Sequence, residues 1–251
     1  QLVDSGRLRR ARGEHEYAGL LAEALAGVDD EPGLMATLRR FRNREIVRIA
    51  WRDIAGWAPL NETLADVSLL AEHCVQAALE CLFRQACAAR GTPCNQRGQP
   101  QNLVVLGMGK LGAWELNFSS DIDLIFAFRD DGELQDRRQT SYVEFYTRLA
   151  RNLVKVIDAI TEDGFVFRVD TRLRPFGDSG PLVMSFDALE TYYQSQAREW
   201  ERYAMVKARA LAGDLEAGRE LEAFLQPFVY RRYLDYRALG ELRELKRKIT
   251  A

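Results

Sequence analysis

Apolar residues recur every three to four positions across 14–90, and this spacing predicts a run of amphipathic helices. The pattern breaks at 29–33 and again at 57–61, where proline and turn-forming residues interrupt it. The stretch 91–100 is polar and rich in glycine and proline, as linkers commonly are. We therefore predict a helical lobe over residues 1–99.

The pattern changes beyond residue 100, where short apolar runs and one alternating stretch indicate strands. The predicted strands are 102–106, 122–128 and 165–170, and the predicted helices are about 140–160 and 185–251. The expected organisation is a sheet-containing core over 100–185, followed by a C-terminal helical segment over 186–251 that packs on the core.

Composition and charge are those of a globular protein, since 47% of the 251 residues are hydrophobic and 29% are charged. The formal net charge of −2 disfavours nucleic acid as a partner, because nucleic-acid binders usually carry a basic surface.

No apolar run approaches the roughly 20 residues of a membrane helix, so we expect no membrane partner and a cytoplasmic location. The four cysteines match no CxxC pattern and are expected as reduced thiols. Because the chain begins with Gln1, we expect a fragment of a longer polypeptide.

A glycine-rich segment with the sequence GMGKLG, residues 107–112, follows the first predicted strand and satisfies the G-x-G-x-x-G pattern. A dinucleotide-binding unit needs a crossover of about ten to twelve residues, and only 113–120 precede the next strand. A P-loop is disfavoured because Leu111 stands where it needs Ser or Thr. The remaining interpretation is a turn that binds phosphate through backbone N–H groups and Lys110, with a plain tight turn as the alternative. The glycines concerned are Gly107, Gly109 and Gly112.

Asp121 and Asp123 are two residues apart in an extended segment, so their side chains project from the same face, with Cα atoms roughly 7 Å apart. Neighbouring carboxylates repel one another unless a cation compensates. Magnesium is the natural cation, because it binds one or two carboxylates and completes its shell with phosphate and water. Ser120 lies beside the pair, and a solvent-exposed strand edge is the alternative.

A third carboxylate, Asp170, lies in the alternating strand, on a face predicted to include Val166, Arg168, Arg172 and Arg174. Asp170 could complete a two-metal site with Asp121 and Asp123, while Arg172 and Arg174 face phosphate oxygens. The simpler alternative is an acid in salt bridges with these arginines.

These motifs closely resemble glutamine synthetase adenylyltransferase, the bifunctional family that also removes the adenylyl group. The resemblance is carried by GMGKLG at 107–112, ELNFSSDIDL at 115–124, RVDTRLRPFG at 168–177, SGPLV at 179–183 and REWERYAMVKAR at 198–209. It covers most of the chain and is tightest from about Val104 to Arg209. Phe176 and the residues around Trp200 are similar to the N-terminal, adenylyl-removing half, whereas a serine is expected at the position of Phe176 in the other half.

The resemblance implies an α+β fold: a polymerase β-like nucleotidyltransferase core with a small mixed sheet, flanked by helical segments at both ends. It implies deadenylylation of glutamine synthetase by phosphorolysis, with release of ADP. Asp121, Asp123 and Asp170 would be catalytic and would bind two magnesium ions. The phosphate- or nucleotide-binding residues would be Gly107, Gly109, Lys110, Gly112, Ser120, Arg172 and Arg174. Adenylylated glutamine synthetase, phosphate and an adenine nucleotide are the implied partners, with the PII signalling protein and glutamine as effectors.

Three alternatives stay open at this point: ATP-dependent adenylylation by the same metal site, a nucleotide-sensing regulatory domain, and polymerase-like chemistry, which the acidic balance disfavours.

A tyrosine leaving group has a pKa of about 10, so no dedicated general acid is needed. His15 and His73 lie in the helical lobe and are not expected as catalysts. The helix predicted over 200–209 is expected to seal the nucleotide pocket by packing, with direct contact to adenine as the alternative.

Overall fold

The protein has an α+β architecture in which one small mixed sheet lies between two layers of helices. The computed structural model describes residues 8–230 and the single positions 240, 243 and 247. The helices are α1 (Glu14–Ala24), α2 (Glu31–Ile54), α3 (Leu60–Arg90), α4 (Gly109–Gly112), α5 (Tyr142–Asp158), α6 (Phe186–Ser195), α7 (Glu199–Met205) and α8 (Leu215–Val229). The strands are β1 (Val104–Gly107), β2 (Ile122–Phe128), β3 (Val169–Asp170), β4 (Val183–Ser185) and β5 (Arg209–Gly213). The fold class expected from the sequence is confirmed.

The helical breaks in the N-terminal layer fall where the pattern predicts them. Asp30 caps α2 by accepting a hydrogen bond from the Gly33 amide at 2.9 Å, with proline in the first turn. The buried side chain of Arg39 ties this helix to the core, donating to the carbonyl oxygens of Gly164 at 2.8 Å and Val156 at 3.0 Å. The N-terminal helices therefore pack directly against the sheet-containing part of the chain.

The sheet has the order β3-β2-β1-β5, and β4 pairs with the later part of β2. β1 is antiparallel to both β2 and β5, whereas β3 and β4 run parallel to β2. β3 pairs with the first two residues of β2, so the residues at its end lie beside those that open β2. This local parallel pairing positions the candidate site.

Both faces of β2 are covered, which explains its nearly unbroken apolar sequence. Ile122, Leu124 and Phe126 face the layer of α1, α2, α3 and α5, as predicted. Ile125 and Ala127 face α6 and α8 on the opposite side. Asp123 is the one residue of β2 that belongs to neither core, so a polar side chain is tolerated at that position.

Two predictions about local structure are wrong. The strand predicted over 165–170 is reduced to β3, because the amides of Val166 and Phe167 both donate to the carbonyl oxygen of Ile157, and both side chains are buried. The alternation that was to place Val166, Arg172 and Arg174 on one face of a strand is therefore absent.

The second error lies at 209–213, where continuous helix was predicted and the chain forms β5 instead. Pairing with β1 supplies the hydrogen bonds, so tertiary context overrides the helical spacing. The helix predicted beyond residue 230 lies outside the described residues, apart from three single positions. All four cysteines carry free thiols, as expected.

Candidate active site

The sheet brings the three predicted carboxylates together at one end of β2. Asp123 and Asp170 are direct partners in the parallel pairing of β2 with β3. Asp121 lies immediately before β2, two residues from Asp123. Three acidic side chains from two distant parts of the sequence therefore share one edge of the molecule.

Two arginines neutralise two of these three carboxylates. Arg168 forms an ion pair with Asp121 and also donates to the carbonyl oxygen of Ser119 at 2.5 Å. Arg172 donates to Asp170 through Nε at 2.9 Å. This hydrogen bond from Arg172 holds the pKa of Asp170 below its usual value.

Asp123 differs from its two neighbours because its carboxylate has no ion pair among the described residues. Burial raises its pKa above the usual value, and the negative charges of Asp170 and Asp121 raise it further. The site therefore carries an excess of negative charge at its most buried acid. A cation at this position would relieve the excess.

The donor set suits a hard divalent cation such as magnesium, which prefers carboxylate oxygens. Within residues 8–230, however, no group of three or more His, Cys, Asp or Glu side chains is arranged to hold a metal ion. Asp121 and Asp170 are instead engaged by arginines in this state. Asp121, Asp123 and Asp170 are the residues that would hold magnesium, once Arg168 and Arg172 released two of them.

The glycine-rich turn lies against the same acids. Gly109 adopts a left-handed conformation with φ of 55°, and a Cβ atom there would lie 3.3 Å from Oδ2 of Asp123. Lys110 is exposed and reaches Oγ of Ser120 at 3.1 Å, and that hydroxyl also bonds to Asn117 at 2.7 Å. The structure thus brings Gly109, Lys110 and Ser120 to the carboxylate cluster.

Gly107 and Gly112 have a packing role in this turn. A Cβ at Gly107 would lie 2.2 Å from the side chain of Leu211, and one at Gly112 would lie 1.8 Å from the carbonyl oxygen of Lys207. The contact at Gly112 could be relieved only by moving the backbone before β5, whereas the contact at Gly107 would displace the buried side chain of Leu211. Both glycines therefore let the turn lie close to the C-terminal part of the sheet.

The side chain of Arg174 is used within its own loop. It donates to the carbonyl oxygen of Thr171 at 2.8 Å and to Oγ1 of the same residue at 2.9 Å. It also lies 3.7 Å from the Asp178 carboxylate. In this state Arg174 shapes the 171–180 loop, whereas Arg172 contacts a predicted catalytic acid.

Sequence reasoning missed two features of the site. Arg168 was considered only as a possible salt-bridge partner of Asp170, whereas it forms an ion pair with Asp121. The other feature is Phe176, which has φ of 62° although it is not glycine. Such a backbone costs about 1–2 kcal/mol, so the surrounding contacts must hold it.

Comparison with known proteins identifies the family. The family model described as glutamate-ammonia ligase adenylyltransferase matches residues 1–224, which include every site residue described above. The chain belongs to this family. Relatives in the adenylyltransferase family include a protein of Methylococcus capsulatus that is 61% identical over 231 residues, covering 92% of this chain and 24% of the relative. A protein of Nitrosococcus oceani is 56% identical over 251 residues, covering 99% and 26%.

Both relatives are named bifunctional glutamine synthetase adenylyltransferase/adenylyl-removing enzyme, as is a Pseudomonas aeruginosa protein at 53% identity. The chain spans about a quarter of the length of these adenylyltransferase-family proteins. In its described part, no helix is long and apolar enough to cross a membrane.

Proposed function

We propose that this chain is a catalytic domain that removes the adenylyl group from glutamine synthetase by phosphorolysis, releasing ADP and the free tyrosine. The observation that carries the proposal is the pairing of Asp123 with Asp170, with Asp121 beside them. Three converging carboxylates next to a glycine turn are the donor set that metal-dependent phosphoryl and nucleotidyl transfer needs. The names of the relatives support glutamine synthetase as the substrate. These names include both the addition and the removal of the adenylyl group.

In the proposed reaction, an oxygen of inorganic phosphate attacks the phosphorus of the adenylyl group. The new phosphorus–oxygen bond creates ADP, and the bond to the tyrosine oxygen breaks. The electron pair leaves on the phenolate, which takes up a proton from solvent. Because a phenolate with a parent pKa of about 10 is a good leaving group, the residues need only position and neutralise charge.

Each residue at the site has a part in that positioning. Asp121, Asp123 and Asp170 would hold two magnesium ions, which when bound would neutralise the charge that develops on the transferring phosphoryl group. Lys110 and Arg172 are exposed cations beside the acids and would bind phosphate oxygens. Gly109 lets the backbone approach closely, since any side chain there would crowd Asp123.

The direction of the reaction rests on the sequence of the 174–177 loop, Arg-Pro-Phe-Gly, which resembles the adenylyl-removing half. A cytoplasmic location, and regulation by the PII signalling protein and glutamine, belong to the same proposal. The competing direction would use ATP and release pyrophosphate at the same acids.

The decisive experiment compares both directions in the full-length protein carrying Asp123→Asn. Adenylylated glutamine synthetase, magnesium and phosphate are supplied and ADP is measured, while a parallel reaction with unmodified glutamine synthetase and ATP is followed by pyrophosphate release. We expect Asp123→Asn to lower phosphate-dependent ADP release at least about a hundredfold, as loss of a transition-state charge stabiliser does. ATP-dependent adenylylation should persist.

The matched control is Asp131→Asn, which removes the same charge from an exposed position shortly after β2. It should leave both reactions unchanged. Loss of the ATP-dependent reaction alone in Asp123→Asn would reverse the proposed direction, and normal rates in both reactions would refute the site.

A further inference from the structure

A cavity with three aromatic residues and the charged residues Arg198 and Glu201 in its lining lies between the 171–180 loop and the helices α6 and α7. Its volume is about 340 Å³, and its lining includes Phe176, Tyr192, Gln196 and Trp200. The rings of Phe176 and Tyr192 pack edge to face with centroids 4.6 Å apart. Phe176 and Trp200 are 47% and 38% exposed, so a ligand in the cavity can reach both rings.

The backbone around Phe176 is held in a strained conformation that keeps its ring at this cavity. Phe176 and Gly177 are both left-handed, with φ of 62° and 58°. The amide of Phe176 donates to Oη of Tyr192 at 3.3 Å, and that hydroxyl donates to the buried carboxylate of Glu201 at 2.5 Å. Three elements thus cooperate to present an exposed aromatic ring, and strain of this kind is concentrated at ligand-binding sites.

The cavity is connected to the catalytic acids through the 171–180 loop, since Gly177 of this loop lines it and Asp170 directly precedes the loop. A Cβ at Gly177 would lie 3.7 Å from the carbonyl oxygen of Arg172, and Arg172 binds Asp170. Leu173 packs on the same core cluster as Tyr192. The chain of contacts from Asp170 through Arg172 to Gly177 therefore ends at the cavity wall.

The tyrosyl ring and the adenine base of the proposed substrate must lie at different places relative to the catalytic acids. The tyrosyl ring is attached to the reacting phosphorus through its own oxygen, so it must lie directly at the acids. The adenine base is separated from that phosphorus by the ribose. A pocket that is joined to Asp170 by the 171–180 loop but is not lined by the acids themselves therefore suits the base, and aromatic faces are general stacking surfaces for nucleobases.

We propose that the cavity formed by Phe176, Tyr192 and Trp200 is the subsite for the adenine base. Phe176 and Trp200 provide stacking surfaces, and the exposed Gln196 offers an amide that matches the donor and acceptor edge of adenine. The proposal rests on the proposed function for the identity of the substrate, but its test does not require turnover.

The first test is photolabelling of the full-length protein with 2-azido-ADP, followed by peptide mapping. We expect crosslinks on the peptides that contain Phe176, Tyr192 or Trp200, reduced by excess ADP and unaffected by inorganic phosphate. Labels confined to other parts of this chain would overturn the subsite. Labelling of the cavity in a protein that fails the phosphate-dependent ADP assay would support the subsite and refute only the proposed function.

The second test measures product inhibition by ADP in the phosphate-dependent reaction. Trp200→Ala should raise the inhibition constant of ADP about tenfold, within the range found for loss of one base–aromatic stack, and leave the KM for phosphate unchanged. Trp200→Phe should restore most of the affinity, which a folding defect would not allow.

Gln196→Ala keeps both rings and tests the polar edge alone. It should reduce the preference for ADP over GDP as inhibitor, while Gln194→Ala, two residues earlier at the end of α6 and outside the cavity, should not. If the Trp200 variants instead raise the KM for the modified protein and leave ADP inhibition unchanged, the cavity binds the protein substrate and the proposal is wrong.

Discussion

The chain contains two clusters of acids and arginines, and they differ in burial and in charge balance. In the helical layer, the side chain of Arg48 is fully buried between Glu45 at 2.8 Å and Asp66 at 3.0 Å. Arg12 supplies a second cation to Glu45, and the hydroxyl of Tyr17 bonds to both Arg48 and Asp66. At the sheet edge, Arg168 and Arg172 are more than half exposed.

The difference shows how similar residues produce a fixed structure in one place and a binding site in another. In the helical cluster Arg12, Arg44 and Arg48 all pair with Glu45, and Arg48 also pairs with Asp66, so neither carboxylate is left without a cation. At the sheet edge two arginines face three carboxylates, and Asp123 has no ion pair within the described residues. Exposed arginines can also move at little cost, because surface ion pairs contribute only about 0–1 kcal/mol.

The largest expected effect is on the buried cluster. Arg48→Met would leave Glu45 and Asp66 buried without their shared cation and should lower the free energy of unfolding by about 3–5 kcal/mol. Hydrogen exchange at the amides of α2 would measure it. The control is Arg40→Met, on the same helix as Arg48, which breaks an exposed ion pair with Asp163. It should lower the free energy of unfolding by less than about 1 kcal/mol. If both variants lowered the free energy of unfolding equally, the buried ion pairs would be no more important for stability than the exposed ones.

Arg172→Ala tests whether the exposed arginines act on ligands. Loss of one charged hydrogen-bond donor to phosphate should raise the KM for phosphate about tenfold in the ADP-release assay. Thermal stability should change little, since the Arg172 side chain is 71% exposed. Arg151→Ala, an exposed arginine on α5, is the control. An unchanged KM for phosphate would assign Arg172 a purely structural role.

Arg168→Gln tests whether an arginine competes with magnesium for Asp121. Removing the positive charge that pairs with Asp121 should be worth about 1 kcal/mol, the size of one close charge pair in water, so the magnesium concentration for half-maximal activity should fall about fivefold. A rise in that concentration would show that Arg168 supports the metal-bound state. Arg138→Gln, in an exposed loop, provides the comparison.

The smallest expected effect is on stability: in the metal-free protein, Asp123→Asn should raise the stability slightly. The pKa of Asp123 is raised by burial and by its acidic neighbours, so its ionised form weakens the fold at any pH above the ordinary carboxyl value. The variant should therefore raise Tm by about 2 °C at pH 7 in chelator, and the gain should disappear as the pH falls below that ordinary value. A lower Tm at pH 7 would mean that the Asp123 carboxylate stabilises the fold.

The sequence by itself determined the elements with strong periodicity and the identity of the acids. The helical spacing and the proline-containing breaks gave α1, α2 and α3, because local preferences and an apolar face agree there. The spacing of Asp121 and Asp123 at the start of an apolar strand indicated a shared face. From the residues alone, joining Asp170 to them was one of two alternatives, and the motif resemblance favoured it, since nothing local connects residues so distant in sequence.

Tertiary structure decided the features that depend on pairing between distant segments. β5 forms in a helix-like sequence because β1 offers an open edge, and β3 is short because the chain before it bonds to the end of α5. Which arginine meets which acid, and the assembly of Phe176, Tyr192 and Trp200 around one cavity, follow from how the 171–180 loop lies on α6 and α7. Such contacts are set by packing across the fold, which the spacing of residues along one chain does not specify.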